Sequence, residues 1–520
     1  MMRTSLLVLI FLVVIPTWLL AQHMPGVSMG NFAGTQALYH NPAFVADSRY
    51  SVHINLVGAQ LYLANNHIKY NAPYSFLSLM TNNVPAQYRN EKGAIILPQS
   101  DLEERLNGRQ KHLNLGVDVR LPSFMISLKD GKYGIGFSTR VRTLLNMTEA
   151  TEPIAQTLRS RGKELGIQKK LFENQSANLH LNGIGEYAIT LGGVLLDDET
   201  DFFKVGITAK RLIGVFNTHI LIEDGAYTIQ PDPAYLDRKE LYDIAAITTQ
   251  YGYTSDGAFQ NLRATPAWLV GNAAAGSGFG FDLGMVYEYR PNVHKYSYSD
   301  RGIRKRDGSK NKYLYRIAVS LTDVGRVKFK NPNYVSQYQV TTTNKVLRFQ
   351  DYENIGGAEG LFTAVNQSLG VDNASRTTTF TSILPTALQA SLDYQIKPNL
   401  YVNTLWVQNL IRPGAFGMKG ESVLAVTPRY ESRWYELSVP VSLMNRYGSF
   451  GIGIAGRVGP FWLGTDHLAG LLNIGKPKAI NIYGGVSFGL FQKPPQSPNP
   501  CYLEDREPLL KRIFSGRRRR

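Results

Sequence analysis

Fourteen stretches of this chain alternate apolar and polar residues with period two. In 112–121 the apolar set is Leu113, Leu115, Val117, Val119 and Leu121, with His112, Asn114, Gly116, Asp118 and Arg120 on the other face. The pattern recurs at 51–63, 133–142, 179–191, 203–212, 279–289, 313–323, 387–396, 400–407, 423–430, 434–443, 450–457, 461–465 and 480–491. Successive side chains of a strand point to opposite faces, so each stretch reads as a strand with one apolar and one polar face. Only 18% of the 520 residues are charged, 43% are hydrophobic, and there are 48 Gly, 29 Tyr and 23 Phe. The composition excludes a disordered chain, and a single cysteine excludes an internal disulfide framework.

An all-β fold follows, and two architectures compete for it. A soluble sandwich or propeller would bury the apolar faces, whereas a membrane barrel would turn them to lipid and keep the polar faces in a wet lumen. No repeat of blade length is visible. Trp268, Trp406, Trp434 and Trp462 fall near strand ends, where barrels carry aromatic girdles, and the last strand finishes on Phe491. The expectation is a transmembrane β-barrel of about fourteen antiparallel strands spanning 51–491.

Loop lengths orient it. With 51–63 running outward, the periplasmic links are 129–132, 192–201, 397–399, 431–433 and 458–460, all short. Most links on the opposite side are long; 290–312 is long where a turn is expected, and 445–449 is short on the outer side. Helical spacing appears inside the outer loops at 153–174, at 235–250 and at 361–369.

Arg3, an apolar run from Leu6 to Ile15, and Trp18-Leu19-Leu20-Ala21 before Gln22 read as an export signal, 1–21, cleaved near Ala21-Gln22. The run is short for a membrane anchor. The outer membrane of a Gram-negative bacterium is the expected location. Beyond the last strand, 492–520 begins with a proline-rich spacer and ends on Arg517, Arg518, Arg519 and Arg520. This tail is either a solvated end or a periplasmic docking element for an acidic partner such as a secretion-machinery component.

Gly30-Asn31-Phe32-Ala33-Gly34, followed by Ala37-Leu38-Tyr39-His40-Asn41-Pro42-Ala43, resembles the N-terminal plug region of FadL-like barrels, which include fatty-acid transporters and the PorV shuttle of type IX secretion. The C-terminal set Leu384-Pro385-Thr386, Val426-Thr427-Pro428-Arg429-Tyr430-Glu431, Gly459-Pro460-Phe461 and Gly464-Thr465-Asp466 is similar to an uncharacterised Bacteroidota outer-membrane barrel family, a domain of unknown function. The resemblance implies that 22–50 is a plug or hatch, with Asn41, Pro42 and Ala43 at its turn, beside a small apolar ligand.

The strand faces add Arg120, Arg140, Arg142, Lys204, Lys210, Arg290 and Arg316 against Asp118, Glu186, Asp282, Glu288 and Asp393 as lumen charges. So even a balance fits a lumen crossed by ion pairs as well as it fits an open channel. Other motifs carry no chemistry. The Gly-x-Ser-x-Gly matches at Ser28 and Ser487 lack a strand-to-helix elbow, and Gly451-x-Gly453-x-x-Gly456 is followed by no helix. Neither a cofactor nor nucleic-acid binding is expected. A non-enzymatic protein is, contacting outer-membrane lipid and acting as a transporter of small apolar ligands or an accessory of an envelope machine; the alternative is a structural or adhesive surface protein using its outer loops.

Overall fold

The computed structural model describes residues 24–160, 166–233, 240–260, 265, 271, 273–300, 303–353 and 355–494. All fourteen alternating stretches form strands, and they close into one antiparallel barrel. The first strand, Tyr50–Asn65, pairs with the last, Ala479–Phe491, from Tyr50 opposite Phe491 to Ala64 opposite Ala479. Tyr50 and Phe491 stack at 4.8 Å, and Trp434 meets Phe491 edge-on at 5.4 Å, so aromatic rings pin the seam.

Between them lie the second strand (Lys111–Arg120 with Ser123–Leu128), third (Tyr133–Ala150), fourth (Ala177–Asp197), fifth (Asp201–Pro231), sixth (Gly276–Tyr289) and seventh (Tyr315–Phe329). The eighth (Phe380–Ile383 with Ala387–Lys397), ninth (Leu400–Asn409), tenth (Val423–Glu431), eleventh (Tyr435–Ser438 with Val441–Met444), twelfth (Ser449–Ile452 with Ile454–Val458) and thirteenth (Phe461–Thr465) complete the wall. Three of the four strands in two pieces break around a proline, Pro122, Pro385 or Pro440, which has no N–H for the ladder.

The tenth strand shows which way the wall faces. Along Val423–Glu431 burial alternates without exception: Ala425, Thr427, Arg429 and Glu431 point inward, and Leu424, Val426 and Tyr430 point out. The same inversion runs round the barrel, with Ile135, Leu191, Ile207, Leu283, Ile317, Leu392, Leu437 and Ile454 all exposed while arginines and carboxylates are buried. Polar inside and apolar outside is the inverse of a soluble sheet protein and fits a bilayer. Trp406 and Trp434 lie on the outer face. Trp462 does not: it is buried in the lumen against Met24, Val27, Ala455 and Tyr483, because position 462 falls in the inward phase of its strand. Trp268 lies outside the described residues.

The fifth strand has 31 residues and serves two neighbours. Its first half pairs with the sixth barrel strand and its second half with Glu240–Thr254, which in turn pairs with Val335–Arg348. The sheet thus continues past the barrel as two further strands. The helical expectation for 235–250 is overturned over 240–250, and 235–239 lie outside the described residues. Leu241, Ile244 and Ile247 suit a helix, but the same stretch runs on through Thr248, Thr249, Tyr251 and Tyr253, strand-favouring types beside the free edge of the fifth strand. Helix Gly357–Leu369 covers this extension, laying Phe362 over Tyr251 and Tyr253 at 5.4 and 5.0 Å. Of 153–174, only Glu152–Ser160 is helical, Leu171–Phe172 is strand, and 161–165 lie outside the described residues.

Candidate functional site

The lumen holds residues 24–49, which run from short helix Pro25–Ser28 through two 3-10 turns, Gly34–Tyr39 and Pro42–Val45. The second turn follows from its sequence. Asn41 caps it, accepting from the Ala43 N–H at 2.9 Å, and Pro42 occupies the first helical position, where no N–H is needed. Asn41 Nδ2 also donates to the carbonyls of Val319 and Met285 at 2.9 and 3.1 Å, fastening the turn to the sixth and seventh strands.

Inward-facing glycines make its seat. A Cβ at Gly206 would lie 2.4 Å from the Pro42 carbonyl carbon, one at Gly134 would strike the Val45 carbonyl, and one at Gly284 the Asn41 side chain. Four neighbouring strands, the third to the sixth, thus approach the segment backbone closely, Gly192 supplying the fourth contact through Val45. Met29, Ala37, Leu38, Ala43, Phe44 and Val45 pack against inward residues that include Met125, Val286, Ala318, Leu405 and Ala425. His40 sits between Ser28 Oγ and Gln389 Oε1, 2.8 Å from each, and burial pushes its imidazole down to about 4.

The lumen charges gather in three buried networks. In the first, Arg140 bridges Glu186 (2.9 Å) and Asp118 (3.5 Å), Arg142 reaches Asp323 (2.6 Å) and Glu186, Lys210 holds Asp282 (2.7 Å), and Arg120 lies over the Tyr39 ring at 4.2 Å. In the second, Arg290 joins Glu288 to Asp47, while Arg49 lies 2.7 Å from Asp47 and Lys204 donates to the Ala46 carbonyl. In the third, Asp393 takes Arg316 and Arg429 at 3.1 and 3.0 Å, Arg429 also pairs with Glu431 at 2.9 Å, and Arg457 with Glu436 at 3.5 Å. Arg316 reaches the N-terminal segment as well, donating to the Met29 carbonyl and Asn31 Oδ1.

Asp323 escaped the sequence reading because strict alternation places it outward. The register slips between Phe281 and Leu283 opposite it, and Asp323 adopts φ 56, so a bulge turns both Thr322 and Asp323 inward. Arg429, Glu431, Glu436 and Arg457 were missed too, although phase could have found them: the first two share it with buried Thr427, Glu436 with Ser438 and Arg457 with Ala455.

Above the first network the lumen turns apolar. Leu144, Ile184, Leu212, Phe329, Phe380 and Leu384 form one buried cluster, joined by Met418 and Phe416 from the link 410–422, which dips into the barrel. Its entry is held by Met418 N–H donating to the Ile383 carbonyl at 3.0 Å and Lys419 N–H to Asn146 Oδ1 at 2.9 Å. Among the described residues no cluster of three or more His, Cys, Asp or Glu side chains is arranged to hold a metal. Arg517, Arg518, Arg519 and Arg520 lie outside the described residues.

Residues 42–466 match the model of a family of unknown function, DUF5723. This chain belongs to that family. Comparison with curated proteins gives no match. Similar solved structures include the Pseudomonas putida toluene transporter TodX (8% identity, 91% of this chain and 98% of that one, TM-score 0.36). The Ralstonia pickettii toluene transporter TbuX (10%, 89% and 95%, 0.35) and a Pseudomonas aeruginosa FadL homologue (9%, 91% and 100%, 0.32) stand alongside it. At such scores no residue role is transferred from them to this DUF5723 member.

Proposed function

We propose that this protein sits in the outer membrane of a Gram-negative bacterium, entered through the export signal 1–21, and passes small apolar ligands through a lumen that residues 24–49 keep plugged at rest. No catalytic step is part of this reading. The observation that carries it is the apolar cluster around Leu212, Phe329 and Phe380, set above the charged networks and apart from the apolar residues that pack the N-terminal segment. A diffusion pore for hydrated solutes has no use for such a lining, whereas an apolar solute gains from leaving water there. Asn41, Pro42 and Ala43 form the hinge side of the plug, anchored by hydrogen bonds that a shift of the segment would exchange for water.

The test is uptake of a radiolabelled aromatic hydrocarbon into vesicles bearing the full-length protein. Phe380→Asp should lower uptake several-fold while heat-modifiable migration, the gel signature of a closed barrel, is kept. Equal uptake by protein-bearing and empty vesicles would refute the reading. One observation favours a second reading, a surface-binding protein: the sheet continues past the barrel as Glu240–Thr254 and Val335–Arg348. Loss of adhesion, with uptake unchanged, on deletion of 335–379 would favour it. The tail 492–520 is proposed to dock an acidic periplasmic partner; truncation after Gln492 should leave assembly intact and abolish salt-sensitive co-purification of that partner.

A further inference from the structure

The three buried networks differ in their charge count. The first sets Arg120, Arg140, Arg142 and Lys210 against Asp118, Glu186, Asp282 and Asp323, four to four. The third sets Arg316, Arg429 and Arg457 against Asp393, Glu431 and Glu436, three to three. At the short-turn mouth the count fails. Arg49, Lys204, Arg290 and Lys312 are all buried, and among the described residues the carboxylates that pair with them are Asp47 and Glu288.

With four cations sharing two carboxylates, three of them also donate to backbone carbonyls: Lys204 to Ala46 at 2.7 Å, Lys312 to Lys310 at 3.2 Å, and Arg49 to Gly308 at 2.8 Å. A buried charge without a counter-charge is costly, and an anion from outside the chain relieves it. Burial, reinforced by Arg49, holds the Lys312 ammonium down at about 7 even with Asp47 3.7 Å away.

Space for that anion adjoins the network. A cavity of about 450 Å³ opens beside Asp47, Arg290 and Lys312, between the turn 129–132, the end of the fourth strand and residues 305–312. Lys129 and Lys132 stand on its rim with no carboxylate among their described contacts, each turned toward the Tyr133 ring. Lys305 and Arg306 close the far side, where they meet Asp130 and Asp197 at 3.2 and 3.3 Å. The remaining wall is apolar: Val194, Leu195 and Phe202. Leu195 is 66% exposed and Leu196 47%, on the outer surface of the barrel end, so the cavity is basic within and opens beside the lipid-facing wall.

We propose that this cavity binds an anionic lipid headgroup, phosphate or carboxylate, whose acyl chain lies along Val194, Leu195 and Leu196. The surplus positive charge selects the anion, and the adjoining apolar surface selects a molecule that carries a hydrocarbon tail. A free inorganic anion would use only the first of these. The site goes beyond the transport reading and is independent of it, since the mouth can hold a lipid whether or not a ligand crosses the lumen.

The experiment uses the full chain in a neutral detergent. Equal amounts of phosphatidylglycerol and phosphatidylcholine are added, and the retained lipid is counted by native mass spectrometry. The wild type should retain phosphatidylglycerol with roughly tenfold preference, and Lys129→Glu with Lys132→Glu should remove most of it, as expected for two lysines near an anionic headgroup. Lys312→Met should also lower retention, with heat-modifiable migration preserved, whereas Lys330→Glu at the opposite end should change nothing. Competition by laurate assigns the site to carboxylate as well as phosphate heads; competition by inorganic phosphate at equal concentration would show that the tail contributes nothing and overturn the lipid assignment. Equal retention of the two phospholipids, or unchanged retention in the double variant, overturns the proposal.

Discussion

At the residue scale, Asp323 and Gly206 decide the most for their size. Asp323 accepts from Arg142 and from Arg140, 2.6 and 3.1 Å away, and pairs with Lys210, and it does so from a left-handed backbone that aspartate and asparagine tolerate better than most residues. Asp323→Asn keeps that backbone and removes the charge, leaving three buried cations short of a partner. The expected cost is roughly 3–5 kcal/mol, read as a lower urea midpoint for loss of heat-modifiable migration. Gly206 works through absence of a side chain. Gly206→Val drives Cβ into Pro42 and Ala43, which lie 2.4 and 2.5 Å from where it would stand. The barrel ladder on either side needs no glycine, so folding should survive while the N-terminal segment is displaced. Planar-bilayer recording should then show a larger resting conductance than the wild type; an unchanged conductance would mean that the segment does not block ions.

At the scale of elements, the extension beyond the barrel hangs on one helix. Phe362 of Gly357–Leu369 is buried between the tyrosines of Glu240–Thr254, and Tyr251 donates to Asn366 Oδ1 at 2.6 Å. Phe362→Ala should cost about 3–5 kcal/mol locally and expose 349–375 to protease, with barrel migration unaffected. The fourteen barrel strands were legible because lipid outside and charge inside enforce alternation on both faces. The extension was not, since Glu240–Thr254 is covered by a helix on one face only and its apolar residues satisfy helical and strand spacing alike. Trp462 misled for a related reason: an aromatic near a strand end suggests a girdle, but its phase, two residues after Pro460, sends it inward. The lumen charges could be read from phase. Asp323 could not, because a bulge shifts phase without leaving a mark in composition. The glycine seat under Asn41–Val45 depends on four strands being neighbours, which only the closed barrel reveals.

For the molecule as a whole, groups outside the spanning strands couple the N-terminal segment to pH, Asp47, His40 and Lys312 among them. Burial alone would raise Asp47, but Arg49, Lys312 and Arg290 outweigh it and hold the carboxyl well below its ordinary value. A lowered carboxylate stabilises the fold above about pH 3.8 and loses that contribution as pH falls further. His40, buried and held at about 4 against an ordinary 6.5, is neutral in the fold while the unfolded chain takes up a proton below 6.5. The His40 share of stability therefore declines between pH 6.5 and 4, by at most about 1.4 kcal/mol per unit. Lys312, at about 7 against 10.5, acts on the other side: the unfolded chain holds the extra proton between those values, so stability rises with pH across that window. All three touch residues 24–49 or their mouth, and so does Asp466 beside Gly26, whose carboxyl burial pushes up to about 7, so that its protonation in the fold works against His40 as pH falls. The His40 share should thus show as a rise in conductance on acidification from pH 7 to 4, before heat-modifiable migration is lost. His40→Gln, which removes the titrating ring and leaves a neutral hydrogen-bonding side chain, should abolish the rise that begins near pH 6.5 and leave the one below pH 4. If the variant and the wild type open over the same pH range, His40 is not what couples acid to the segment, and release must come from the wall networks instead.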